Sequence, residues 1–164
     1  MQQANSFILQ VEGACHKMAS TLSIFVWPIG QACCYLANIG DSRIYSSYQG
    51  QLQLLTKDDA IMFKERVLMH GGVRIIDKYM LSKVIGMSNL QISVTEKPLR
   101  EEEIIILATD GFYDARKSIY TQTMAGLSLQ QHLEESFQET VKKFEILRGD
   151  DFTVVMIKKR KHSR

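Results

Sequence analysis

The sequence predicts an α+β fold, in which antiparallel sheets carry helices on their outer faces. Three observations lead there. Short runs rich in β-branched and aromatic residues are separated by Pro28-Ile29-Gly30, Gly40-Asp41 and Gln49-Gly50. Ile104-Ile105-Ile106-Leu107-Ala108 is apolar throughout, as an inner strand buried on both faces requires. Two other segments, one near each end, place apolar residues at helical spacing.

The first of these is Ala4 to Lys17, where Phe7, Ile8, Val11 and Ala14 fall on one helical face. Strands follow over Ser20 to Trp27, Gln31 to Ile39, Arg43 to Tyr48 and Gln51 to Leu55, read as an antiparallel meander joined by tight turns. Asp58 or Asp59 is placed to cap a helix running to Met69 and ended by Gly71-Gly72. Residues 74–89 read as partly irregular, and Gln91 to Pro98 as a strand in which Ile92 and Val94 alternate with polar residues. Glu102-Glu103 form a polar approach to the apolar run. Ser128 to Leu147 is the clearest helix: Ser128 caps it, Gln131 takes the capping-box position, and Leu129, Leu133, Phe137 and Val141 follow the repeat. Arg148-Gly149 breaks it, and Phe152 to Ile157 is the last strand.

A chain of 164 residues holds one substantial core, taken here as a single domain over 1–157 with a basic tail, Lys158 to Arg164. The tail reads as a solvated terminus. A formal charge of +2 sets up no field for nucleic acid, and the apolar runs are too short to span a bilayer as helices. Cys15, Cys33 and Cys34 lack metal-ligand spacing, and adjacent Cys33 and Cys34 read as small residues on opposite faces of a strand. With no disulfide framework and a polar N-terminus, a cytoplasmic location is expected.

Three acidic phrases carry the chemistry: Asn38-Ile39-Gly40-Asp41-Ser42-Arg43, Ala108-Thr109-Asp110-Gly111 and Gly149-Asp150-Asp151-Phe152-Thr153. Asp110 closes the apolar run, and Gly111 after it permits a sharp turn and close backbone approach. Asp150 and Asp151 stand just ahead of Phe152-Thr153-Val154-Val155. If those two strands are neighbours, Asp110 and Asp150 meet at one rim of a sheet. Carboxylates that close repel one another unless a cation relieves them, and their oxygens suit magnesium or manganese. On spacing alone a second reading stands beside this one, in which each Asp caps a helix or closes an Asx turn. Gly40-Asp41 reads first as a hairpin turn, and His70 as a helix-end residue. His16, His132 and His162 are scattered, and no residue is singled out as a catalytic nucleophile or acid.

Taken together, the phrases resemble the PP2C (PPM) family of metal-dependent protein serine/threonine phosphatases, in its compact bacterial type. Met18-Ala19-Ser20-Thr21-Leu22 is similar to the family's entry to a central strand. Leu36 to Tyr45 is close to "ANVGDSRAY". Leu55-Thr56-Lys57-Asp58-Asp59 resembles "LTxDH", with Asp59 where His is usual. Leu81-Ser82-Lys83-Val84-Ile85-Gly86 resembles "[LI][TS]RAIG", with Lys83 for Arg. Ile106 to Asp114 resembles "LLxTDGLxD", and Gly149 to Val155 resembles "xDNxTVV", with Asp151 for Asn.

The resemblance implies an α-β-β-α sandwich of two antiparallel sheets flanked by helices. It also implies a binuclear magnesium or manganese centre and attack of an activated water on phosphoserine or phosphothreonine, with no phosphoenzyme. By position, Asp110 and Asp150 match metal ligands, while Asp41, Gly111 and Asp151 fall in supporting places. The family's "DGxGG" phrase, whose Asp bridges the two metals, does not occur in the 164 residues, so an N-terminally truncated fold is expected. Two functions follow: a phosphatase acting on a phosphoprotein, or a catalytically inactive pseudophosphatase that binds a regulatory partner. A shortened sheet would also leave edges open to a partner or to self-association.

Overall fold

The structure is a computed structural model that describes residues 2–11, 18–115, 131, 134, 138, 151 and 153–159. In chain order its elements are α1 (Gln2–Gln10), β1 (Leu22–Val26), β2 (Cys33–Ile39), β3 (Arg43–Tyr48), β4 (Gln51–Leu54), β5 (Ala60–Met69), β6 (Gly72–Leu81), β7 (Val94–Pro98), β8 (Ile104–Ala108), α2 (Asp110–Ala115) and β9 (Val154–Lys158). The chain divides into two compact units. The first comprises Met1–Leu22, Ile39–Asp41 and Asp58–Ile92, and the second Ser23–Asn38, Ser42–Lys57 and Ser93–Arg164.

The second unit is built on two sheets, one of order β1-β2-β7 and one of order β4-β3-β8-β9. The pairings of β2 with β7, and of β3 with β4 and β8, are antiparallel, as is that of β8 with β9. Alternation along β3 and β8 explains why these stack as layers. Ile44 and Ile105 point to one side, into a core with Cys34, Leu36 and Leu99. Tyr45, Ile104, Ile106 and Ala108 point to the other, into a core with Met156 and Phe112 of α2. The four-stranded sheet is therefore apolar on both faces, and β8 is its inner strand, as its unbroken run predicts. Gln49 and Gly50, both at positive φ (51° and 76°), form the two-residue turn between β3 and β4 that matches strand twist.

In the first unit, β5 and β6 form a two-stranded ribbon paired from Ala60↔Leu81 to Met69↔Gly72. Ser20 and Ile85 exchange backbone bonds (2.8 and 3.2 Å). Buried Asn5 of α1 donates to the Met87 carbonyl at 3.0 Å and accepts from Gly86 N–H at 2.7 Å.

Several expectations are corrected. The helix expected from Asp58 or Asp59 to Met69 is strand β5. Of residues 74–89, read as partly irregular, those up to Leu81 belong to strand β6, and 82–89 are irregular apart from the Ile85 bridge. Asp59 spends its carboxylate on Gly40 and Lys83 instead of capping a first helical turn. The β-branched and aromatic side chains on both sides of His70-Gly71 then pair across a hairpin. His70 is consequently a turn residue, not a helix end. The first four strands are not one meander, because β2 and β3 belong to different sheets and Gly40-Asp41 carries the chain between them. Glu103, read only as part of a polar approach to β8, is 1% exposed. Helix α1 is described to Gln10, and residues 12–17 of the expected helix lie outside the described residues. Gln131, Glu134 and Gln138 are helical, while the rest of the Ser128 to Leu147 segment, Phe152 and the tail beyond Lys159 lie outside them too. Among the described residues no helix is long and apolar enough to cross a membrane.

Candidate metal centre

Asp110 follows β8 by two residues and opens α2. Phe112, with no exposure, anchors that short helix on the sheet, and its N–H donates to the Thr109 carbonyl at 3.1 Å. One carboxylate oxygen of Asp110, Oδ1, accepts from Gly111 N–H at 2.8 Å. Both Asp110 and Gly111 are half-buried at the sheet rim.

Strand β9 comes to the same rim. Its pairing ends at Ala108↔Val154, and beyond it Thr109 N–H donates to the Thr153 carbonyl at 3.1 Å. Thr153 N–H returns a bond to Thr109 Oγ1 at 2.8 Å. Asp110 and exposed Asp151 thus flank one pair of bonded threonines. Asp150 lies outside the described residues. Asp41 belongs to the first unit, in the turn whose Gly40 is held by Asp59.

These donors are carboxylate oxygens on a partly desolvated rim, and in kind they fit a hard divalent cation such as magnesium or manganese. Among the described residues no group of three or more His, Cys, Asp or Glu side chains is clustered closely enough to hold an ion without further ligands.

The other end of β8 holds a polar cluster that sequence reasoning missed. Glu103 accepts from Lys97 Nζ (2.5 Å), from Ser46 Oγ and from Arg100 N–H (2.9 Å). Burial pushes this carboxyl up, but the bonds from Lys97, Ser46 and Arg100, with the Lys97 charge, outweigh it and hold the group below its ordinary value. The cluster ties β7 of one sheet to β3 and the start of β8 of the other. No spacing signals it, because its members come from β3, β7 and the chain ahead of β8. Cys34, buried beside it, has its thiol pushed up chiefly by burial, the mark of an inert core cysteine.

The family model of Stage II sporulation protein E (SpoIIE) matches residues 65–160. The chain belongs to the SpoIIE family. It is 27% identical over 107 residues to a Mycoplasma genitalium chain described as a protein phosphatase, covering 60% of this chain and 40% of that one. The fold is that of the PP2C-type phosphatases. The S. agalactiae serine/threonine phosphatase superposes with a TM-score of 0.71 at 19% identity, over 97% of this chain and 67% of that one. The catalytic domain of the phosphatase PstP, in complex with 2 manganese ions, gives 0.56 at 20% identity, over 93% and 64%. This SpoIIE-family chain therefore spans two fifths of the curated relative and about two thirds of the solved chains.

Proposed function

We propose that the chain acts as a PP2C-type, metal-dependent protein phosphatase domain that hydrolyses phosphoserine or phosphothreonine in proteins. The observation that carries this reading is Asp110-Gly111 at the end of an inner strand, with the start of β9 bonded alongside it, in a SpoIIE-family fold. Asp110 and Asp150 are the proposed metal ligands, and Asp41, Gly111 and Asp151 the supporting residues. Magnesium or manganese, when bound, supplies an acidified water and neutralises phosphate charge.

The chain's own residues do the rest. Phe112 and the Thr109–Thr153 pair fix the rim, so the Asp110 carboxylate is held in place before any ion arrives. Gly111 carries no side chain, which permits the sharp turn from β8 into α2 beside Asp110. A phosphoprotein substrate or a regulatory protein is the proposed partner.

The test is manganese-dependent hydrolysis of p-nitrophenyl phosphate and of a phosphothreonine peptide. Asp110→Asn should lower turnover by at least about 100-fold while leaving the thermal midpoint near that of the parent chain. Absence of hydrolysis at millimolar manganese, with Asp110→Asn indistinguishable from the parent, rejects the reading. Manganese uptake without turnover favours the regulatory pseudophosphatase instead.

A further inference from the structure

The β5–β6 ribbon has one covered face and one open face. Successive side chains of a strand point to opposite faces, and directly paired residues share a face. Apart from Ala60 at its base, the half-buried residues of the ribbon are Glu65, Val67 and Ile76, and all three fall on the face that carries the Lys78–Glu65 ion pair. The other face carries Met62, Leu68, Val73, Ile75 and Tyr79, which are 52–81% exposed. Its middle pair is Lys64↔Asp77, two opposite charges, with Met62↔Tyr79 toward the base and Leu68↔Val73 toward the turn. A two-stranded ribbon is marginally stable in water unless a face is covered, and an apolar face this open marks a site of association.

We propose that this open face is the contact between two copies of the chain, stacked about a two-fold axis that runs along the ribbon between them. That operation lays β5 of one copy over β6 of the other, so each residue faces its own register partner in the second copy. Lys64 then meets Asp77 of the second copy, and Asp77 meets its Lys64, giving two ion pairs at the centre of the contact. Met62 faces Tyr79 on one side of them, and Leu68 faces Val73 on the other. The alternative stacking, with the axis across the strands, sets Lys64 over Lys64 and Asp77 over Asp77, which like-charge repulsion opposes. Charge therefore selects one arrangement, and a self-complementary face closes at two copies. The contact stands apart from the metal-dependent reading above, and either holds without the other.

Sedimentation velocity on the full chain, from about 2 µM to about 1 mM, measures the association. Five pairs on each copy make a smaller contact than the roughly 20–30 residues a side of a standard interface, so half-association is expected at roughly 10–500 µM. Lys64→Glu and Asp77→Lys, each alone, should weaken it at least about tenfold, because each sets like charges together at both central contacts. An equimolar mixture of these two variants should regain the parent's association, since every reversed charge then meets an opposite one in the other copy. Leu68→Ser should weaken association without any change of charge. At the lowest concentration the ribbon is free, and urea midpoints there should match the parent's, which separates lost contact from lost fold. Should a reversal disturb folding, Lys64→Gln and Asp77→Asn take its place and should weaken association by a smaller factor. A parent that stays monomeric to the top of the range overturns the proposal. So does association that the charge variants leave unchanged, as pairing along a strand edge would, or a mixture no more associated than its components.

Discussion

Thr109 and Thr153 hold each other across the ends of β8 and β9, the first through its hydroxyl oxygen and N–H, the second through its N–H and carbonyl. The pair sits immediately inside the Asp110 and Asp151 positions, so it decides whether the two strand ends stay together where the carboxylates emerge. Thr109→Val removes the hydroxyl acceptor and leaves Thr153 N–H to solvent. We expect a loss of about 1 kcal/mol in urea unfolding and a raised manganese requirement for hydrolysis. Thr109→Ser, which keeps the oxygen, should match the parent in both measurements.

The Lys97–Glu103 pair predicts a pH dependence whose sign is fixed. Glu103 has its carboxyl held below the ordinary value in the folded chain. A depressed acid contributes stability above its unfolded value and loses that contribution as pH falls through the folded one. Stability should therefore be level from neutral pH down to the ordinary glutamate value of 4.5, then drop as acid protonates Glu103. Glu103→Gln leaves the Lys97 ammonium, 18% exposed, without its counter-charge, at a cost of about 3 kcal/mol at pH 7. Its unfolding midpoint should also change less between pH 5 and pH 3 than the parent's, which urea titrations at the two values will show. An equal acid loss in both proteins contradicts the assignment.

Gly40→Ala adds a Cβ that meets Thr21 Cγ2 at 2.4 Å and Thr21 Cβ at 2.8 Å, on a backbone at φ of 94°. The left-handed conformation alone costs about 1–2 kcal/mol for a residue with a side chain, and the clash adds to it. We expect at least about 2 kcal/mol of destabilisation. Thr21→Ala in the same chain removes the nearest contact but not the backbone cost, so it should recover only part of the loss. Denaturant unfolding of both single variants and the double variant measures that coupling.

Strand identity was legible wherever side-chain pattern and burial agreed. Ile104 to Ala108 reads as an inner strand because both faces of the sheet are covered, and Arg43 to Tyr48 is the observed β3 residue for residue. The apolar run also placed Asp110 at a strand end, where the structure has it. What failed was decided at a distance. Asp59 looks like a helix cap only until Gly40 and Lys83 claim its carboxylate. Glu103 reads as no more than a polar approach because its three donors come from β7, β3 and the chain ahead of β8, separations that no local pattern encodes. Gly40-Asp41 has the composition of a hairpin turn, and nothing in four residues says that the strands on either side join different sheets.

Two isoleucines separate what the fold needs from what it merely carries. Ile105 has no exposure and packs between the two sheets with Cys34, Leu36, Ile44 and Leu99. Ile75, on the β5–β6 ribbon, is 63% exposed and lies opposite Arg66. Cutting Ile105 to Ala removes buried methyl groups and leaves a cavity that neighbours from two sheets cannot readily close, at a cost of about 2–5 kcal/mol. Cutting Ile75 to Thr keeps the β-branch that the ribbon favours and changes little buried area, so the cost should stay within about 0.5 kcal/mol. Leu68, Val73 and Tyr79 are exposed on the same ribbon, and apolar surface of this kind promotes association. Ile75→Thr should therefore raise the concentration at which the protein begins to aggregate, read by light scattering, while urea unfolding stays unchanged. A large stability loss at Ile75 would mean that the ribbon's exposed face is covered in solution.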